Sequence, residues 1–125
     1  MKVLESGENY LETILILKEK TGSVRSIDIV RELDFTKPSV SVAMKRLKED
    51  GFIHVDSGGY ITLTPTGEAI AREIYERHTI LTAALCKLGV DEDIAKEDAC
   101  KMEHYISKET FEKIKEHLAK GTEIK

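Results

Sequence analysis

Apolar residues recur at helical spacing from near the start of the chain. Between Glu8 and Leu17 they fall at Tyr10, Leu11, Ile14, Leu15 and Leu17, which predicts an amphipathic helix with Ser6 as its N-cap. Thr21-Gly22-Ser23 ends it. A shorter helix, capped by Ser26 and running to Leu33, offers Ile27, Ile29, Val30 and Leu33 on its apolar side. Asp34-Phe35-Thr36 reads as a tight turn. A third helix opens near Lys37-Pro38, where proline is tolerated in the first turn, and carries Val40, Val42, Ala43, Met44 and Leu47 as far as Glu49-Asp50-Gly51. From Phe52 the period shortens to two. Phe52-Ile53-His54-Val55-Asp56 and Tyr60-Ile61-Thr62-Leu63 flank Ser57-Gly58-Gly59, which predicts a hairpin. After Thr64-Pro65 a long helix is expected from Thr66 to about Leu88, closed by Gly89. Another spans Asp91 to roughly Ser107, and a last one runs from Lys108 to Ala119, ending at Lys120-Gly121.

Three helices followed by a two-stranded hairpin is the order of a winged helix-turn-helix. The fold class expected is therefore mainly α: a winged helix-turn-helix with a small hairpin wing at residues 1–64, then a helical unit at residues 65–125. Such a wing architecture places the third helix in a DNA major groove with its N-terminal residues at the base edges. Thr36, Lys37, Pro38, Ser39 and Ser41 occupy that end, and Lys45, Arg46 and Lys48 follow as charges that neutralise phosphates.

Charge bears on this only locally. The chain carries 19 Lys+Arg against 23 Asp+Glu, a formal net charge of −4. A DNA backbone responds to the face presented to it, however, and Phe35 to Lys48 holds four basic residues and no acid. With 125 residues, 41% hydrophobic and 34% charged, the chain suits one compact unit or two small lobes and is not wholly disordered. No apolar run approaches the roughly 18 to 20 residues needed to cross a bilayer. Met1-Lys2-Val3-Leu4-Glu5-Ser6 is too short an apolar stretch for a secretory signal, so a cytoplasmic location is expected. Cys86 and Cys100 make no disulfide framework; Cys86 reads as packing.

The second half holds a different kind of pattern. Cys100, Glu103 and His104 stand at i, i+3 and i+4, so one helical face would present a thiol, a carboxylate and an imidazole. These are the side-chain types that ligate transition metals. The plain alternative makes Cys100 a small buried hydrophobe, Glu103 a surface acid and His104 a packed ring. Asn9 and Glu12, at i and i+3 on the first helix, and His78 on the long helix are each commonplace alone.

Taken together, Glu8-Asn9-Tyr10-Leu11-Glu12-Thr13-Ile14, Lys37-Pro38-Ser39-Val40-Ser41, Leu63-Thr64-Pro65-Thr66-Gly67, Glu76-Arg77-His78 and Glu97 to Ser107 resemble the diphtheria-toxin-repressor family of metal-dependent transcriptional regulators. The likeness runs from about Ser6 to Leu118, and its most specific segment is the last. The likeness does not extend to that family's SH3-like domain, so an architecture similar to the shorter, manganese-transport-regulator branch is expected. The resemblance implies a winged helix joined to a dimerisation domain, with metal bound where they meet. It implies one site of Asn9, Cys100, Glu103 and His104, and a second using Glu12 and His78 and sharing Glu103. Glu12 and His78 match the manganese branch, and Cys100 the iron branch. The iron branch's ancillary site also needs an acid and a His where this chain has Thr82 and Lys96, so that site is expected to be lost in its usual form, with Lys96 a fixed cation in its place.

Imidazole with carboxylate suits Mn²⁺ or Fe²⁺, while a thiolate shifts preference toward Fe²⁺, Co²⁺ or Zn²⁺. The ion expected is Fe²⁺ ahead of Mn²⁺, with Co²⁺ and Zn²⁺ as further candidates. The function expected is that of a repressor controlling metal homeostasis. Loaded with the divalent ion, it would bind palindromic double-stranded operator DNA as a homodimer. The alternative is a winged-helix regulator that senses a small organic ligand and no metal. Enzymatic activity is not expected, since the chain offers no HExxH motif, phosphate loop or nucleophile with an adjacent base. Neither a membrane nor a particular protein partner is indicated. The family's base-reading glutamine is replaced here by Val42, which can touch a thymine methyl but cannot hydrogen-bond a base.

Overall fold

The computed structural model describes residues 5–120. Among them are six α-helices and one two-stranded antiparallel sheet, in the expected order with the hairpin between the third and fourth helices. The chain divides into two compact units, residues 1–72 and 73–125.

The first unit contains α1 (Glu5–Thr21), α2 (Ser26–Leu33), α3 (Lys37–Glu49), β1 (Ile53–Val55), β2 (Ile61–Leu63) and the opening turns of α4 (Pro65–Lys87). Its core is built from the positions the periodicity singled out: Leu11, Ile14, Ile29, Val40, Ile53 and Ile61 are almost wholly removed from water. Burial of each such side chain contributes about 1.5–3 kcal/mol. Tyr10 packs edge-on against Phe35 with ring centroids 5.9 Å apart. Burial also raises the Tyr10 phenol pKa above its ordinary value.

Two helix starts differ from the sequence expectation. Ser6 does not cap α1, because it lies within the helix, whose described residues start at Glu5. Nor does Ser26 cap α2. Arg25 holds the cap position in an extended conformation (φ −127°, ψ 165°), and Asp28 Oδ2 accepts its N–H at 2.8 Å. Arg25 is held extended by an isolated bridge to Tyr60, beside the Ile61 N–H that donates to the Val24 carbonyl at 2.7 Å.

The wing is a short hairpin with Ile53 opposite Leu63, His54 opposite Thr62 and Val55 opposite Ile61. Its tip is ordered by Asp56, whose Oδ1 accepts from the Gly58 and Tyr60 N–H groups, each at 2.9 Å. Gly59 there takes a left-handed conformation, φ 83°. After the wing, Thr64 caps α4: its Oγ1 accepts from Gly67 N–H at 3.1 Å and donates to the Gly51 carbonyl at 2.8 Å. Gly67 is required by space, since a Cβ on it would stand 2.0 Å from the Phe52 carbonyl oxygen. The sequence expectation put the end of the N-terminal domain at residue 64, where α4 starts. By packing, the first unit extends through the opening turns of α4, because Gly67 lies against Phe52 and Ala71 is fully buried in the core.

The second unit comprises the rest of α4, α5 (Glu92–Met102) and α6 (Lys108–Ala119). Ile74, Leu81, Ala84, Ala95, Ala99 and Phe111 are its buried apolar positions. Asp91 caps α5 through the Asp93 N–H at 3.1 Å, and Ser107 caps α6 through the Thr110 N–H at 3.1 Å. Gly121, read from the sequence as part of the last helix's end, lies outside the described residues.

Candidate metal centre and nucleic-acid face

On α3, Val40, Met44 and Leu47 point into the core. The 3.6-residue period therefore turns Pro38, Val42 and Lys45 to the opposite side, with Ser41 and Lys48 on one flank and Ser39 and Arg46 on the other. All of these are exposed, and Val42 retains 69% of its surface. Thr36 caps the helix, accepting the Ser39 N–H at 3.3 Å and donating to Ser39 Oγ at 2.8 Å. Both hydroxyls are thus engaged in starting the helix. The first turn holds no acid and the last holds Arg46 and Lys48. The positive end of the helix dipole lies by the exposed Lys37, and Lys45, Arg46 and Lys48 are exposed further along the helix, so its solvent side offers cations to a phosphate backbone.

The second unit holds the other set of donors. Glu103 is entirely buried, and its Oε2 lies 2.9 Å from His78 Nδ1. His104 Nε2 is 3.5 Å from Glu103 Oε1, and the His104 side chain is 1% exposed. Oε1 nevertheless has no hydrogen-bond partner. A buried carboxylate oxygen without a hydrogen-bond partner is costly, and a cation beside it would offset that cost. Carboxylate with two imidazoles is a donor set that fits a divalent first-row metal.

The structure places Cys100, Glu103 and His104 at the C-terminal end of α5. Helix α5 ends at Met102, and Glu103 is its C-cap (φ −59°, ψ −23°), with its N–H still bonded to the Ala99 carbonyl at 2.9 Å. The Tyr105 and Ile106 N–H groups then both bond the Met102 carbonyl at 3.1 Å, Ile106 at the α-helical i−4 spacing and Tyr105 at i−3, so the chain closes with one tightened turn after Met102. Glu103 and His104 therefore sit in a turn between α5 and α6. Cys100, on the helix proper, is exposed, and among the described residues neither its thiol nor the His104 ring joins a group of three or more ligand atoms within 4.8 Å of one another.

Of the remaining sequence candidates, Glu12 is a buried carboxylate in the first unit, 7% exposed, and Asn9 is half-buried on the same helix. Thr82 Oγ1 is buried with no hydrogen-bond partner. Lys96 is exposed and pairs with Glu92 one turn earlier at 3.3 Å. Sequence reasoning gave no role to Arg77, whose Nη1 donates to the Glu103 and Ile106 carbonyls, each at 3.1 Å. The only signal for it was its place immediately before His78.

A winged helix followed by a helical unit with a buried carboxylate between two imidazoles defines a class of DNA-binding, metal-binding regulators. Residues 2–59 match the model of the iron-dependent repressor N-terminal DNA-binding domain, and residues 64–123 that of the iron-dependent repressor metal-binding and dimerisation domain. The chain belongs to the iron-dependent repressor family. It is 39% identical over 105 residues to the transcriptional regulator MntR of Salmonella typhimurium, covering 84% of this chain and 67% of that one. With an uncharacterised HTH-type transcriptional regulator of Methanocaldococcus jannaschii it shares 33% identity over 118 residues, 93% of this chain and 94% of the relative. The solved manganese regulator SloR superposes with a TM-score of 0.81 at 25% identity, over 90% of this chain. This chain spans about half of that protein's length, 53%.

Proposed function

We propose that the protein is a metal-dependent transcriptional repressor that binds palindromic operator DNA as a homodimer and controls metal homeostasis. The observation that carries this reading is the buried, unpartnered Glu103 Oε1 beside His78 and His104. Our ligand proposal takes His78, Glu103 and His104 from the second unit and adds Glu12, with Asn9 and Cys100 as further candidates. When bound, a divalent ion supplies the positive charge that buried carboxylates lack. His78 and His104 present neutral nitrogen donors, and the carboxylates balance the charge.

The metal proposed is Mn²⁺ or Fe²⁺. The preference for Fe²⁺ drew on a Cys100 thiolate, and that side chain is exposed. Imidazole and carboxylate serve both ions, and SloR is named for manganese. The DNA-reading face is that of α3: Lys37, Pro38, Ser39, Ser41 and Val42 near the bases, with Lys45, Arg46 and Lys48 on phosphates. Thr36 acts there by starting the helix. In a two-fold dimer, recognition helices meet half-sites about 34 Å apart or a multiple of it. Metal raises DNA affinity only through its tighter binding to the DNA-competent arrangement, a coupling of about 1–3 kcal/mol.

The test is DNA affinity measured with chelator and then with anaerobic Fe²⁺, Mn²⁺, Co²⁺ or Zn²⁺ in turn. The reading expects tighter binding with at least one ion and its loss in His104→Ala, which stays a folded dimer. Equal affinity with chelator and with every ion would favour the regulator that senses an organic ligand.

A further inference from the structure

Arg77 lies one residue before His78 on α4, and its side chain is only 12% exposed. A guanidinium so nearly buried needs partners on several sides, and since its Nε has no hydrogen bond the two terminal nitrogens and the planar face carry the contacts. Nη1 donates to the carbonyls of Glu103 and Ile106, each at 3.1 Å. Nη2 stands 3.5 Å from Glu73 Oε1, one turn back on α4. The guanidinium carbon sits 5.4 Å from the centroid of the buried Phe111 ring on α6. Carbonyls beyond a helix C-terminus have no intrahelical donors, and the negative end of the α5 dipole favours a cation there.

Residue 103 is consequently gripped twice from adjacent positions of α4. Arg77 holds its main-chain carbonyl, and His78 holds its carboxylate at 2.9 Å. Oε1 has no hydrogen bond of its own, so its position follows from those two grips. The second carbonyl held by Arg77, that of Ile106, fixes the far end of the turn that carries His104.

We propose that Arg77 is a positioning residue for the metal: it sets the 103–106 turn in place beforehand, so that Glu103 and His104 meet a divalent ion without rearrangement. This rests on the reading that Glu103 and His104 are ligands. The role calls for arginine specifically. One planar guanidinium reaches two carbonyls, a carboxylate and a ring face, whereas a lysine ammonium is a compact charge on a flexible stem. Residues that orient metal ligands typically govern affinity by about 10- to 100-fold.

The experiment uses the full chain as wild type, Arg77→Lys, Arg77→Met and Glu103→Gln. Co²⁺ serves as the spectroscopic probe, Mn²⁺ affinity is obtained by titration, and melting in chelator reports the fold. Arg77→Lys should melt within a few degrees of wild type, bind Mn²⁺ about 10- to 100-fold more weakly and alter the visible bands of bound Co²⁺. The altered bands are the readout that a merely structural arginine would not move. Unchanged affinity and spectrum in both Arg77 variants, with Glu103→Gln losing the ion, would overturn the role of Arg77 and leave the ligand reading standing. If wild type binds no ion, or Glu103→Gln binds Co²⁺ as wild type does, the ligand reading falls and the proposal with it. Should Arg77→Met fail to fold, Arg77→Lys decides, and failure of both to fold would overturn positioning in favour of a structural role.

Discussion

Replacing Glu103 with Gln should stabilise the metal-free protein while removing its response to metal. In the wild type the carboxylate is wholly buried, with Oε2 on His78 Nδ1 at 2.9 Å and Oε1 lacking a hydrogen bond. A buried acceptor left unsatisfied costs about 1–3 kcal/mol, and more when it is charged. The amide has the same shape but no charge. Its oxygen can keep the His78 contact, and its NH₂ can turn toward His104 Nε2, which lies 3.5 Å from the present Oε1. Glu103→Gln should therefore gain about 1–3 kcal/mol in chelator. At roughly 3–5 °C per kcal/mol for a chain of this size, the melting temperature rises by several degrees. Metal at 100 times its Kd adds about 2.7 kcal/mol to the wild type and close to none to the variant. The assay is a pair of thermal melts, in EDTA and in excess Mn²⁺. The variant should melt higher in the first, and the metal-dependent rise should vanish from it. A variant that melts below wild type in EDTA would show that the Glu103 charge is well compensated by His78, and the reasoning from an unpartnered oxygen would fail.

Two further outcomes test the first unit. Lys45→Ala should weaken binding to every duplex alike and make the slope of log affinity against log salt shallower by about 0.9; a change confined to sequence preference, measured on operator variants, would argue for base contact instead. Gly67→Ala sets a Cβ 2.0 Å from the Phe52 carbonyl oxygen, a backbone atom that cannot swing aside, and should cost about 3 kcal/mol or more in chemical denaturation. A loss under about 1 kcal/mol would mean that α4 shifts freely at its start.

Where local chemistry decided the outcome, the sequence carried it. The period of 3.6 in α1 and α3, the shift to two at Phe52 and the glycine-rich tip specified the winged helix, because each pattern buries one face. Helix ends were less legible where the partner came from elsewhere in the chain. Ser26 looked like a cap, yet Arg25 took the position because a bridge to the distant Tyr60 holds it extended. The same limit applies at the proposed metal centre. Spacing alone put Cys100, Glu103 and His104 on one helical face, but α5 stops at Met102, and the carbonyls beyond it are held by Arg77. A lone arginine beside a histidine gives no sign of reaching across to another helix. Cys100, Glu103 and His104 stood out because a thiol, a carboxylate and an imidazole seldom line up on one helical face, and spacing gave no sign of the turn that carries Glu103 and His104.

The tie between the wing and the start of α2 bears on how the first unit comes apart. A three-residue hairpin is marginal in water by itself. Here β2 is fastened at its outer edge through the Val24 carbonyl and the Arg25–Tyr60 bridge, so the ribbon borrows its permanence from the loop ahead of α2. Fraying of the wing and release of α2 should then be one event. Amide exchange at Ile61 and at Ile29 would show common protection, so a probe on the ribbon would also report on the helix behind it.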